Sequence, residues 1–200
     1  ADRAREMYSS ELCSDDVRAL RAQVADMLPE LCAMLDIFLG DFDTARRRCG
    51  ENSERGADGV MRGFSISRER DISFDAHAEF LCRELGRRLN AGTVQPGYAA
   101  MAALYRRLKR YIVAGELSGD SSMRYCRFEG ERVTLRSLCI DPSTVLDGRM
   151  RRFSSVVLFS ATLTPPDYFH ALLGGGRSAV NLALRSPYDE NNLFLGAVTD

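Results

Sequence analysis

Apolar positions in the first half of the chain recur at steps of three and four residues, as they do in amphipathic helices. After Ser14, a helix-capping residue followed by two acidic residues, this spacing continues to about residue 48. It predicts one long helix over about 15–48 with a kink at Pro29. The glycine-, serine- and arginine-rich residues 50–72 predict a loop with a short strand at 61–66. Two further helices are predicted over 73–90 and 96–115.

Beyond residue 118 the hydrophobic period changes to one typical of strands. Strands are predicted at 125–128, 133–135, 155–159, 180–184 and 193–198, and short helices at 142–150 and 166–174. The run Ser155–Phe159 is apolar without alternation, which is typical of a central strand buried on both faces of a parallel sheet. The expected fold class is therefore mixed α and α/β. We expect a mainly α-helical domain over 1–118 and part of a parallel-sheet α/β domain over 119–200.

The composition excludes one type of nucleotide-binding site. Of the 27 basic residues, only Lys109 is lysine, and no glycine precedes it and no serine or threonine follows it. A phosphate-binding loop of the Walker A type needs a Gly-Lys-Ser/Thr sequence, because the ammonium group must reach the β- and γ-phosphates. The chain therefore has no Walker A loop, and a lysine Schiff base is disfavoured.

The net charge of −1 is unevenly distributed. Residues 101–152 carry 11 basic and 6 acidic groups, whereas the segments on either side are net acidic. A basic segment of this kind can attract polyanions, although a solvated helix face rich in arginine gives the same composition. Both interpretations stay open at this stage.

Six cysteines are spread through the chain without the two-residue spacing of a zinc or iron–sulfur site. We expect reduced, buried thiols, no disulfide framework and no metal bound by this chain. No apolar run approaches the length of about 18 residues that a membrane span needs. Together with the polar start of the sequence, this predicts a cytoplasmic protein with no membrane partner.

The segment with the most specific chemistry follows the apolar run at 155–159. Ser160, Ala161 and Thr162 come directly after it and precede a Leu-Thr-Pro turn. Small hydroxyl residues at the end of a buried strand can hydrogen-bond to carboxylates of a nucleotide site without filling the cleft. The same hydroxyls can also cap local backbone groups.

The flanks of this triplet make it specific. The stretch SVVLFSATLTPPDYFHALLGG resembles motif III and its surroundings in superfamily 2 helicases of the XPD/DinG-like branch. LCIDPSTVL at 138–146 resembles the segment before motif III, and SPYDENN at 186–192 resembles a Ser-Pro-Phe segment after it. The opening ADRAREMYSSEL is similar to the stretch that follows the DEAH box of that branch. All four segments occur in the order found in the family.

This resemblance implies a segment of a bacterial-type, ATP-dependent 5′→3′ DNA helicase. The helical residues 1–118 then correspond to the Arch domain, with the first 12 or so continuing from the motor domain, and residues 119–200 to part of the motor domain. The Arch domain helps to guide single-stranded DNA, and motif III couples ATP hydrolysis to translocation. Ser160 and Thr162 would relay the nucleotide state, with Ala161 between them.

The resemblance also implies what the rest of the helicase supplies. ATP, Mg and an iron–sulfur cluster belong to the parent protein, upstream of this segment. The Walker A loop and the DEAH box are missing from these 200 residues. We therefore expect the chain to bind no cofactor and to be inactive as an ATP hydrolase by itself.

Two basic clusters are candidates for DNA contact, because guanidinium groups bind phosphates well and aromatic rings stack on bases. They comprise Arg106, Arg107, Lys109 and Arg110, which Tyr105 and Tyr111 accompany, and Arg149, Arg151 and Arg152 before motif III. A solvated helix face also explains each cluster and is the favoured interpretation from the sequence. The arginines at 46–48 end a predicted helix, where cations complement the helix dipole.

Two other functions remain open. One is a non-enzymatic helical interaction module. The other is a metal- or redox-responsive domain that uses Cys126 and Cys139 with further cysteines.

Overall fold

A computed structural model of the chain describes residues 8–91, 97–118, 121–160, 163–175 and 179–184. The helices in these ranges are α1 Ser14–Val24, α2 Pro29–Arg48, α3 Ile72–Asn90, α4 Tyr98–Ser118, α5 Ser143–Met150 and α6 Pro166–Leu173. The strands are β1 Ser10–Cys13, β2 Ser53–Arg55, β3 Met61–Ser67, β4 Ser122–Glu129 and β5 Arg132–Cys139. A 3₁₀ turn at Gly50–Asn52 precedes β2.

The five strands form one antiparallel sheet in the order β1-β5-β4-β3-β2. Its centre is the β4–β5 hairpin, in which Glu129 pairs with Arg132. Gly130 in the turn has a φ of 57°, a left-handed conformation that a residue without a Cβ adopts at little cost. Because β3 pairs with β4 and β1 with β5, the sheet joins strands from both sides of residue 118.

Helices cover one face of this sheet. Along β4, Cys126 and Phe128 are buried on the covered face, while Arg127 and Glu129, which follow them in alternation, are exposed. Helices α1, α2 and α4 contact the sheet, and α3 packs on α2 and α4. An aromatic cluster of Phe38, Phe42 and Phe74 lies at the centre of the helical layer, with ring centroids 4.9–5.3 Å apart.

The antiparallel sheet corrects the expected fold class, since a parallel-sheet helicase motor domain is not what the described residues form. The run Ser155–Phe159 enters no sheet there, and the side chains of Val157 and Phe159 are 81% and 90% exposed. Residues 180–184, also predicted as a strand, have no regular secondary structure. A continuous apolar run indicates a tendency to be buried, but it cannot specify the neighbours that would bury it. Among the paired strands, residues Cys126–Glu129 of β4 alternate between buried and exposed positions, as strands of one-sided antiparallel sheets do.

The helix predictions were closer to the structure. The expected helix over 15–48 is two helices, because α1 ends at Val24 and Pro29 begins α2, where its missing N–H removes no helical hydrogen bond. The predicted second and third helices, the hairpin and the two short helices are confirmed as α3, α4, β4–β5, α5 and α6. The strand predicted at 61–66 is confirmed as β3, but β1 and β2 were not predicted.

We expect Phe42→Ala to lower the free energy of unfolding by about 3–5 kcal/mol, because it empties a fully buried ring position. Phe80→Ala is the matched control, since that ring is 49% exposed on α3 and its removal leaves no cavity. Urea denaturation of both variants measures the difference. Equal costs for the two substitutions would contradict the packing described for the aromatic cluster.

Candidate nucleic-acid interface

The first predicted basic cluster lies on the solvent side of α4. Met101, Leu104, Leu108 and Tyr111 form the buried stripe of this helix. Arg106, Arg107, Lys109 and Arg110 fall between those positions and are all exposed. The helical period therefore brings the four cations to one surface of the helical layer.

Only part of this cluster is available to an added ligand. Arg107 forms an ion pair with Asp16 of α1. The Lys109 ammonium lies 5.9 Å from the centroid of the Tyr105 ring, within cation–π distance. The Arg106 side chain makes no ion pair within the described residues. Within the described residues, Arg106 and Lys109 thus have no carboxylate partner that would compete with a phosphate.

The two tyrosines of α4 are not positioned to stack on bases. The Tyr105 ring lies against α3 at Gly86, where an added Cβ would come within 3.1 Å of it. Tyr111 is buried and donates a hydrogen bond to Asp75. Both rings therefore serve packing between α3 and α4, and the aromatic component expected for this cluster is not at its surface.

The neighbouring face of α3 adds further charged groups. Glu84 accepts hydrogen bonds from Arg87 at 2.8 and 2.9 Å and from Arg88 at 2.5 Å. The Arg87 bonds, and after them those of Arg88, hold the pKa of Glu84 below its usual range. Burial raises the pKa of the Cys82 thiol, and the nearby charge of Lys109 acts in the opposite direction.

The second predicted cluster lies at the C-terminal end of α5. Arg149, Arg151 and Arg152 are exposed there, and Arg151 donates to Asp147 over 2.7 Å. Helix α5 packs against α6. The structure thus places the two basic clusters on different elements.

The motif III triplet is described only in part. Ser160 is exposed at the end of an extended segment. Ala161 and Thr162 lie outside the described residues, so no geometry is assigned to the relay expected of Ser160 and Thr162.

A charged network that the sequence did not reveal lies beneath α4. The Asp75 carboxylate is bound by one guanidinium nitrogen of Arg124 at 2.9 and 3.0 Å, by the Tyr111 hydroxyl at 3.0 Å and by Arg70 at 3.0 Å. The Arg124 guanidinium also lies 5.0 Å from the centroid of the Tyr111 ring. Asp75 falls on the same helical stripe as Phe74 and Ala78. A charged residue on an apolar stripe was the sequence signal that could have revealed this network. Because both oxygens of Asp75 accept hydrogen bonds, this carboxylate links α3, α4 and β4 and is not available as a reactive group.

One histidine has a carboxylate partner. His77 Nδ1 lies 2.7 Å from an Asp41 oxygen and links α3 to α2. Such a pair can orient a histidine, but nucleophilic catalysis also requires a hydroxyl or thiol within hydrogen-bond reach. No such partner of His77 occurs among the described residues, so the pair is assigned no catalytic role.

The cysteines do not suit an iron–sulfur cluster, which needs four converging thiolates. Cys13, Cys82, Cys126 and Cys139 are buried on four different elements. In the hairpin register Cys126 pairs with Leu135, so Cys139 lies four positions away along β5, about 13 Å at the usual rise of a strand. Burial and the neighbouring Cys49 thiol hold the pKa of Cys126 above its usual range, which keeps it protonated and a poor ligand. No cofactor chemistry is therefore assigned to these residues.

Within the described ranges, no group of three or more His, Cys, Asp and Glu side chains is placed to hold a metal ion. No helix there has the length and apolar character that crossing a membrane requires.

We expect Asp75→Asn to cost about 3–5 kcal/mol of stability, because it leaves the largely buried Arg124 charge without its counterion. Asp36→Asn, which breaks an exposed ion pair with Arg21, should cost no more than about 1 kcal/mol. Urea denaturation at neutral pH compares the two variants. If Asp75→Asn is as mild as Asp36→Asn, the network does not fasten α3 to β4.

Acid should remove part of the stability that Glu84 provides. A carboxylate whose pKa is lowered by folding stabilises the protein fully above its unfolded pKa of about 4.3, and this contribution is lost as the pH falls through the folded value. Glu84→Gln should therefore cost about 1 kcal/mol at about pH 7 and much less at about pH 3. Glu69→Gln, on an exposed loop, serves as control in urea midpoints at both pH values. A cost that does not change with pH would argue against this role of Glu84.

Similarity to known proteins would also identify the family of this chain. Comparison of the chain with protein-family models, curated proteins and solved structures finds no match. The functional assignment therefore rests on the residues themselves and on the surfaces that they form.

Proposed function

We propose that this chain is a segment of an ATP-dependent 5′→3′ DNA helicase of the XPD/DinG-like type. The observation that carries the proposal is the run Ser155–Gly175, with its strand-like apolar start, its Ser-Ala-Thr triplet and its Leu-Thr-Pro turn. Three further family-like segments flank it in the expected order. Because one sheet joins strands from both sides of residue 118, we extend the Arch-type domain of the proposal beyond the expected bounds of 1–118 to the sheet and the helices that cover it, between Ser10 and Cys139.

Exposed apolar side chains next to the triplet support this assignment. Val157 and Phe159 are almost fully exposed among the described residues, and Phe153 is 67% exposed. Contiguous exposed apolar residues are unusual on a soluble surface and indicate a site that another protein surface covers. In the proposal, the remainder of the helicase covers them.

The second support is the exposed cationic surface of α4. Arg106 and Lys109 extend into solvent from a rigid helix, and phosphate contacts of this kind position a nucleic acid without reading its sequence. In the proposed helicase, this surface helps to guide single-stranded DNA. ATP hydrolysis is assigned to residues outside this chain, because it contains neither a Walker A loop nor a DEAH box.

The enzymatic part of the proposal is tested in the full-length protein. We expect ATP hydrolysis that single-stranded DNA stimulates, and Thr162→Ala should lower strand unwinding per ATP hydrolysed by about tenfold or more, equivalent to roughly 1.4 kcal/mol. Thr144→Ala, an exposed position on α5, is the matched control. A full-length protein without stimulated hydrolysis would favour the non-enzymatic interaction module instead. Equal unwinding by both variants would remove the coupling role of the triplet.

The DNA-contact part is tested by binding to a labelled oligothymidylate. Arg106→Ala and Lys109→Ala should each weaken binding and reduce the slope of log affinity against log salt by about 0.7, because each removes one phosphate contact. Arg47→Ala is the control, since that arginine hydrogen-bonds to Thr44 at the end of α2. If all three variants have the same affinity and the same salt slope, α4 is not the contact surface.

A further inference from the structure

The face of the sheet opposite the helices carries side chains that neither basic cluster includes. Phe64 of β3 and Tyr125 of β4 both project from this open face, with ring centroids 6.3 Å apart at an angle of 36°. The Phe64 ring is 45% exposed, and the neighbouring Ile66 is 56% exposed. Two accessible aromatic rings thus lie side by side on a rigid strand pair.

Guanidinium groups surround these rings. Arg127 is directly opposite Phe64 in the strand register, and Arg136 is directly opposite Tyr125. Arg62 and Arg132 lie one row away on the same face. The open face therefore combines a small aromatic centre with a border in which these arginines alternate with the carboxylates of Glu11, Glu54 and Glu129.

The four arginines differ in how far their charge is already neutralised. Within the described residues, Arg62 pairs with Asp58 and Glu129, Arg132 with Asp15, and Arg136 with Glu11. Arg127 is exposed and has no ion pair in the same part of the chain. Among the described residues of this face, it is the arginine without an ion pair, and it adjoins the aromatic centre.

The shape of the surface also suits a small planar group. Phe64, Tyr125, Arg127, Arg62 and Arg132 help to line an open depression of about 640 Å³, with the buried Thr134 among its lining residues. This volume lies within the range of small-ligand sites. A second copy of the chain is a poorer occupant, because stable dimers bury about 800 Å² per partner around a large apolar centre. Here Phe64 and Ile66 are the exposed apolar side chains among the described strand residues of this face, and Met123, Tyr125 and Leu138 are half-buried.

We infer that the open sheet face binds single-stranded nucleic acid, with bases stacked on Phe64 and Tyr125 and a phosphate held by Arg127. Stacking on aromatic rings accepts any base, while a nearby arginine follows the backbone, which is how sequence-tolerant single-strand binding works. A duplex is a poor ligand for this face, because its bases are already stacked and paired. This inference extends the proposed function to a second surface and relies on it for the identity of the strand as DNA.

The experiment measures binding of the chain to a fluorescein-labelled oligothymidylate of about 15 nucleotides, close to the largest site size of a single binding domain. Phe64→Ala and Tyr125→Ala should each weaken binding by roughly 5- to 150-fold without changing its salt dependence. Arg127→Gln should lower the salt slope by about 0.7. Phe80→Ala is the control, because it removes a ring of similar exposure from α3.

Cooperative urea denaturation checks that each variant folds, and Phe64→Leu and Tyr125→Leu replace any alanine variant that does not. An oligonucleotide containing 5-iododeoxyuridine should crosslink to Phe64 or Tyr125, as mapped by mass spectrometry. Wild-type affinity in the ring variants, no binding by the wild-type chain, or a self-association that Phe64→Ala abolishes would each overturn the inference.

The two proposals fail in different ways. Loss of DNA-stimulated ATP hydrolysis in the full-length protein removes the helicase assignment, while oligonucleotide binding that depends on Phe64 and Tyr125 still supports the open face. Conversely, intact hydrolysis with wild-type binding by both ring variants removes the open-face site alone.

Discussion

One-sided coverage of the five-stranded sheet determines which side chains of this protein meet solvent. Alternate residues of β4 and β5 are buried beneath the helices, so the residues between them must face away. The buried side accounts for the aromatic cluster of Phe38, Phe42 and Phe74. On the open side, Phe64 is exposed and Tyr125 is half-buried, and both rings lie on the face opposite the helices that cover the sheet in the described residues. The position of a residue along its strand thus determines which face of the sheet it joins, although Thr134 is buried even on the open face.

Within the covered side, the Asp75 network restricts how the helices sit on the sheet. Hydrophobic contacts alone tolerate small shifts of one layer over another, whereas a carboxylate bound by Arg124, Tyr111 and Arg70 is satisfied in one arrangement only. Removing one member of a buried ion pair costs more than the pair contributes. The network therefore selects the orientation of α3 and α4, and with it the direction in which the cations of α4 point.

Periodic segments of the sequence predicted their own structure well, while long-range pairing could not be predicted. The stripes of α3 and α4 and the alternation in the β4–β5 hairpin are local patterns, and both are confirmed. The strand β1 has four residues and pairs with β5 more than 120 residues later, so no local signal specifies it. At Ser155–Phe159 the apolar run predicted burial in a parallel sheet, and the described structure leaves it exposed. The basic cluster of α4 was predicted, whereas Phe64 and Tyr125 became visible as a pair only once the register of β3 and β4 was known.

The two candidate surfaces belong to different layers of the domain, because the cations of α4 lie on the helical layer and the aromatic pair lies on the face of the sheet opposite the helices. A single strand that contacts both must pass around an edge of the sheet. Sites that share no partner and lie more than about 7–10 Å apart contribute additively. Arg106 and Phe64 share no contact, so their contributions to binding should add within a few tenths of a kcal/mol when one strand contacts both. A short oligonucleotide that reaches only one surface would respond to one substitution and not the other, which identifies the side that holds the strand more tightly.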